Sequence, residues 1–249
     1  MKPLFQKIIL NSTFYLLFFA VTPVLVPLLA LAVAVRAPFI SHRAAMHHFR
    51  QLIKVYGKII LSFACPLVRV KYEESLVPPP AACLYVCNHR SASDPFLMAF
   101  LPGEIVQWVN TWPFRLPVLG IFARWAGYLS VKEMPPEDAM ARSAKLLAQG
   151  VSIAAFPEGT RSGSREMGPF HGLVFRLALQ TGAPIVPVCL AGNEHIPHKG
   201  SPVLNPGIIR IRTLPALTQN DYQGFSPFKL KRVVHEQISG ELKRMEGAE

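Results

Sequence analysis

Acidic residues are missing from the start of the chain. No Asp or Glu precedes Glu73, whereas nine basic residues do: Lys2, Lys7, Arg36, Arg43, Arg50, Lys54, Lys58, Arg69 and Lys71. They carry nine of the net +11 charges, and the remainder is nearly neutral with 17 basic against 15 acidic residues. Nucleic-acid binders also use basic surfaces, but here the charge is interleaved with aliphatic and aromatic bulk, which points to an anionic membrane surface. Charge of either sign is scarce, at 16% against 51% hydrophobic residues. That excludes a disordered chain, which lacks the apolar area to offset ordering entropy. Only one run is long and apolar enough to cross a bilayer, which excludes a multipass transporter. The 16 Gly and 23 Pro have no triplet period, which excludes a fibrous repeat. Cysteine is sparse: Cys65, Cys83, Cys87 and Cys189 form no CxxC pair, and Cys65 and Cys189 lie in apolar runs. Buried, reduced thiols of a cytosolic protein are expected.

Residues 8–35 carry no formal charge. A cleaved signal peptide with Ala30-Leu31-Ala32 as its small-residue site has too short an apolar region to match this run. A single spanning helix would have basic residues on both flanks, so the positive-inside rule assigns no orientation. A third reading uses Pro23 and Pro27 as a break, so that the segment enters one leaflet and returns with both basic flanks on one surface. This third arrangement is the expectation. Downstream, Phe49, Leu52, Ile53, Tyr56, Ile60, Phe63 and Leu67 recur at helical spacing, with Arg50, Lys54 and Lys58 on another face. Such a helix packs on the protein's own core or lies among headgroups; the lack of acidic residues favours lipid. His42, His47 and His48 are read as interfacial rather than as metal ligands.

The stretch Val77-Pro78-Pro79-Pro80 divides a membrane-associated helical segment, 1–76, from a body, 77–249. In the body, apolar runs at 82–87, 105–109, 128–131, 151–156, 184–190 and 208–213 alternate with helical patterns at 95–101, 112–126, 136–149 and 170–181. The alternation predicts an α/β fold, a twisted mixed sheet covered by helices, with sites beyond the carboxyl ends of strands. Two polar motifs fall there. In Asn88-His89-Arg90-Ser91-Ala92-Ser93-Asp94-Pro95, His89 and Asp94 have the chemistry of a general base and the carboxylate that orients it; Asp94 could equally cap a helix that Pro95 opens. In Phe156-Pro157-Glu158-Gly159-Thr160-Arg161-Ser162, Arg161 offers a planar fork to phosphate. Gly159 permits close backbone approach, Thr160 adds a hydroxyl, and Glu158, which would repel phosphate, is assigned to orienting Arg161. An exposed Glu–Arg pair on a polar turn is the plainer alternative.

These two blocks, in this order and about 70 residues apart, resemble the glycerolipid acyltransferases of the HxxxxD type, most closely the bacterial 1-acylglycerol-3-phosphate acyltransferase subgroup. The resemblance covers roughly residues 80–215 and includes Pro184-Ile185-Val186-Pro187-Val188, similar to the family's fourth block. One block departs. The family's second motif runs Gly-x-x-Phe/Pro-Ile/Val-Asp-Arg, whereas this chain has Gly127-Tyr128-Leu129-Ser130-Val131-Lys132-Glu133. Either Lys132 takes the basic role through a one-residue shift, or the headgroup pocket differs.

The resemblance implies transfer of an acyl chain from a thioester, acyl-CoA or acyl carrier protein, to the free hydroxyl of lysophosphatidate on the cytoplasmic face of a membrane. His89 would act as base, Asp94 would hold it, and Glu158, Gly159, Thr160, Arg161 and Lys132 would bind substrate. No cofactor or metal is implied; His195-Ile196-Pro197-His198 is read as a loop. The absence of a GxSxG elbow leaves no need for an acyl-enzyme. Acylation of another lysolipid, such as a lyso-ornithine lipid, is the alternative kept open by the altered second block. A catalytically silent membrane-binding module, or a lysolipid hydrolase, stands further off.

Overall fold

The computed structural model describes residues 2–73, 75, 77–116 and 118–247. Two long helices lead the chain, α1 (Lys2–Arg36) and α2 (His42–Ser62). Then follow β1 (Val68–Glu73), β2 (Leu84–Cys87), α3 (Asp94–Leu97), β3 (Ile105–Val109), α4 (Leu119–Trp125), β4 (Leu129–Ser130), α5 (Pro136–Ala148), β5 (Ser152–Ala155), α6 (Leu173–Thr181), β6 (Ile185–Ala191), β7 (Gly207–Thr213), α7 (Gln219–Tyr222) and α8 (Pro227–Gly247).

The strands form one seven-stranded sheet in the order β1-β7-β6-β2-β5-β3-β4. β6, β2, β5, β3 and β4 run parallel; β7 is antiparallel to β6, and β1 is parallel to β7. The sheet is therefore mixed, as expected. The three central strands are buried at every position, which matches their unbroken apolar runs and the helices on both faces. One face packs Leu84, Val86 and Ile153 against Phe175 and Leu177 of α6 and Val234 and Ile238 of α8. The other packs Tyr85, Val186, Val188, Ile209 and Ile211 against Leu97, Met98 and, from the N-terminal helices, Leu10.

Several expectations are corrected here. The 1–76 boundary falls too late: β1, at 68–73, is a strand of the body's own sheet, hydrogen-bonded to β7. The helix expected at 112–126 divides into a 3-10 turn, Trp112–Arg115, and α4, with residue 117 outside the described residues. Cys65 is exposed, while Cys83, Cys87 and Cys189 are buried free thiols as expected.

The N-terminal helices differ most from expectation. α1 runs unbroken through Pro23 and Pro27. Its 35 residues extend about 52 Å at 1.5 Å per residue. The missing backbone bonds are offset because Val26, Leu25 and Leu29 pack on Tyr56 and Ile60 of α2, and Thr22 Oγ1 lies 3.0 Å from Tyr56 Oη. α1 is long and apolar enough to cross a membrane by length and composition. It is nevertheless tied along one side to the protein: Asn11 donates to Leu204 O (2.9 Å) and accepts from Leu204 N (2.8 Å), and Tyr15 Oη bonds Pro202 O. Elsewhere it exposes Leu4, Phe5, Leu16, Phe19, Leu28, Leu31 and Val35.

Most of the basic row of α2 is engaged by the protein itself. Arg43 makes two hydrogen bonds to Glu104 (2.9 and 2.7 Å), Arg50 Nη1 donates to it at 2.6 Å, and His47 Nδ1 lies 2.8 Å away. Arg50 Nε also donates to Ala126 O (2.8 Å), and Lys54 Nζ to the carbonyls of Leu101 and Gly103. Burial, with neighbouring Lys58, brings Lys54 down to about 8. Only Lys58 of the row is exposed. The acid-free segment thus finds its counter-charge in Glu104, which is 3% exposed at the head of β3.

Burial alone would raise the Glu104 carboxyl, but the bonds from Arg43, His47 and Arg50 outweigh it and leave it below the usual range. A depressed carboxyl contributes stability that is present above its unfolded pKa and disappears as pH falls through the folded one. The clamp on α2 therefore holds at neutral pH and loosens only in strong acid. Glu104→Gln should cost roughly 2–3 kcal/mol in unfolding experiments, because the amide cannot compensate buried Arg50. A loss under about 1 kcal/mol would show the clamp to be redundant.

Candidate functional site

Parallel strands end together, and this topology assembles the site. β2 lies between β5 and β6 with Val86 opposite both Ala155 and Pro187. The His89 loop, the Glu158 loop and the turn after β6 therefore emerge side by side, as expected for an α/β sheet. β3 and β4 bring Val109, Asn110, Val131 and Lys132 to the same end.

His89 and Asp94 meet directly, with Nδ1 to Oδ2 at 2.7 Å. Asp94 is completely buried and His89 is 17% exposed. Asp94 Oδ2 also accepts from the backbone N–H groups of Arg90 (2.7 Å) and Ser91 (3.0 Å). These bonds run backward along the loop; Ser93 occupies the N-cap of α3, so Asp94 is not the cap of that helix. With Nδ1 engaged, Nε2 is the ring atom left for a ligand. The ring packs against Phe156, 4.6 Å between centroids.

Glu158 takes a different place from the one expected. Its carboxylate accepts from His89 N (2.7 Å) and Gly168 N (2.8 Å), and no contact joins it to Arg161 among the described residues. Burial holds its carboxyl above the ordinary range against the pull of those two amide bonds. Glu158 thus ties the two motif loops together, as does Ser162 N, which donates to His89 O at 2.8 Å.

A cavity of about 400 Å³ opens at this junction, lined by His89, Lys132, Gly159 and Arg161. Neither Lys132 nor Arg161 forms an ion pair among the described residues, so both positive charges are available to an anion. Of the other expected ligands, Thr160 is exposed and Glu158 lies behind the wall; neither lines the cavity. Gly159 has φ +68°, and a Cβ there would press on the His171 ring at 3.1 Å. His171 also lines the cavity. The sequence pattern does not single it out, because 170–181 reads as helix throughout, whereas α6 starts at Leu173. A second, largely apolar cavity of about 170 Å³ lies between α1, α2 and the body. It shares Ala92, Pro95, Val109 and Pro113 with the first, so the two adjoin beside His89. No group of three or more metal-ligating side chains occurs among the described residues.

Comparison with known proteins agrees with this geometry. The family model described as Acyltransferase matches residues 68–191, from β1 to the end of β6. The chloroplastic 1-acyl-sn-glycerol-3-phosphate acyltransferase BAT2 of Brassica napus is 33% identical over 180 residues, 70% of this chain and 51% of that protein. The chloroplastic enzyme LPAT1 of Arabidopsis thaliana is 32% identical over 180 residues, 70% of this chain and 49% of its own. The chain spans about half the length of these curated relatives. The crystal structure of the 1-acyl-sn-glycerophosphate acyltransferase PlsC from Thermotoga maritima shares the fold, with a TM-score of 0.79 at 20% identity and 97% of both chains covered. With the family model and these relatives agreeing over the segment that holds both motif loops, the chain belongs to the glycerolipid acyltransferase family.

Proposed function

We propose that this protein moves a fatty acyl chain from an acyl thioester, acyl-CoA or acyl carrier protein, to the free sn-2 hydroxyl of 1-acylglycerol-3-phosphate, giving phosphatidate for phospholipid synthesis. The observation that carries this reading is one cavity lined by His89, itself bonded to Asp94, beside Lys132 and Arg161, two cations with no ion pair among the described residues. The cations suit the acceptor's phosphate, and the adjoining apolar cavity suits an acyl chain. His89 Nε2 takes the hydroxyl proton while the oxygen attacks the thioester carbonyl. The tetrahedral intermediate collapses, the carbon–sulfur bond breaks as the ester forms, and the thiolate leaves with the proton carried by His89. Asp94 keeps Nδ1 protonated and stabilises the imidazolium. No cofactor takes part.

The exposed apolar side chains of α1 are proposed to lie in the cytoplasmic leaflet of the cell membrane while Asn11, Tyr15, Thr22 and Val26 stay docked on the protein. The acceptor then reaches the cavity without leaving the bilayer.

Thiol release from a long-chain acyl thioester tests this, with protein in anionic vesicles and a panel of acceptors. Release should depend on lysophosphatidate and be small with lyso-ornithine lipid, which has no phosphate for Lys132 and Arg161. Release with the ornithine lipid alone would reassign the acceptor. Free fatty acid formed without acceptor would reassign the reaction to hydrolysis, and no release with any pair would overturn it.

A further inference from the structure

Asp94 is held at both oxygens. Oδ2 takes three donors, the His89 ring and the N–H groups of Arg90 and Ser91. Oδ1 takes one, the side-chain amide of Asn193, in a close hydrogen bond. Asn193 is fully buried, and its own Oδ1 has no partner among the described residues. Leaving a buried acceptor unsatisfied is costly, and the bond to Asp94 is what that cost accompanies.

The local backbone is shaped for this contact. Asn193 sits in the turn just after β6, where Gly192 has φ +77° and a Cβ would collide with Ile208 O. The same turn grips the loop elsewhere: Glu194 pairs with buried Arg90, and Ser91 Oγ donates to Ile196 O at 2.8 Å. Those contacts hold the loop; among the described residues of the turn, only Asn193 bonds the Asp94 carboxylate.

We propose that Asn193 is a positioning residue: by anchoring Asp94 Oδ1 it aims Oδ2 at His89 Nδ1 and moderates the pull of the carboxylate on the imidazolium. This rests on His89 serving as the base in the reaction proposed above. Removing the amide takes a donor from the carboxylate, which becomes more basic and holds a charged imidazole more strongly. His89 then stays protonated to higher pH and is a poorer base near neutrality.

The test uses the full chain with Asn193→Ala and Asn193→Leu, the second filling the space without a donor. Two measurements are made: the pH dependence of kcat/KM for thiol release with lysophosphatidate, and the titration of the His89 ring by NMR, its signal identified by its loss in His89→Ala. In both variants kcat should fall about 10–100-fold, with KM for lysophosphatidate within about threefold. The acid limb and the ring titration should both move up by roughly half a pH unit or more. An unchanged limb and ring titration would overturn the proposal, whether or not the rate falls. So would failure of both variants to fold, which would mark Asn193 as a packing residue. Should the wild type transfer to no lysolipid, the functional reading fails alone, and the ring titration still decides the role of Asn193.

Discussion

Replacing His89 with Ala should lower acyl transfer by about 10²–10⁴-fold, the usual contribution of a positioned general base, while the protein stays folded. His89 is tied into the fold by its backbone, whose N–H donates to Glu158 and whose carbonyl accepts from Ser162. Alanine keeps both bonds. What it loses is a 17%-exposed ring, its bond to Asp94 and its tilted contact with Phe156. Asp94 retains the donors from Arg90, Ser91 and Asn193, so no buried charge is abandoned. Unfolding in detergent should therefore shift by about 1 kcal/mol or less. Thiol release within tenfold of wild type would remove His89 from the chemistry.

Asp94→Asn should reduce turnover on the same scale, on the order of 10²–10⁴-fold, with little loss of stability. The stability argument lies in the partners of Asp94 rather than in helix capping. The oxygen of the substituted amide, in place of Oδ2, accepts from the same two backbone N–H groups. Its NH₂ then replaces Oδ1 and faces Asn193, whose amide can turn over and present the oxygen that now lacks a partner. The hydrogen bonds survive, and the negative charge does not. His89 loses the group that stabilises its protonated form, so the rate falls. Because the two residues act as a unit, His89→Ala with Asp94→Asn should be no slower than His89→Ala alone. Multiplying losses in the double variant would mean that Asp94 works independently of His89.

How much of this is legible in the sequence depends on distance along the chain. His89 and Asp94 stand five residues apart in one loop, and their meeting follows from local geometry. The central strands are visible because β2, β5 and β6 are apolar on both faces. β1 is not: its alternating Val68-Arg69-Val70-Lys71 pattern continues the basic segment, and only pairing with β7, well over a hundred residues away, makes it a strand of the body. Likewise the α2 cations read as lipid-facing because their partner Glu104 lies some 54–61 residues downstream. Asn193 reaches Asp94 only because β6 neighbours β2, an order that no periodicity reveals. α8 has a readable stripe in Leu230, Val234, Ile238, Leu242 and Met245, but no polar motif draws attention to it.

The docking of α1 has a consequence for biosynthesis. Asn11 bonds to Leu204, 193 residues later in the chain. At 5–20 residues per second, a ribosome needs roughly 10–40 s to make that partner after Asn11 itself. For that interval the most apolar helix of the protein has α2 to pack on but lacks the Leu204 end of its seat. Nascent α1 should therefore partition to a bilayer or a chaperone before the sheet that will hold it has been made. On this order of events the membrane is met first and the catalytic body is completed against it, so ribosome–nascent chains ending before β7 should already co-sediment with vesicles.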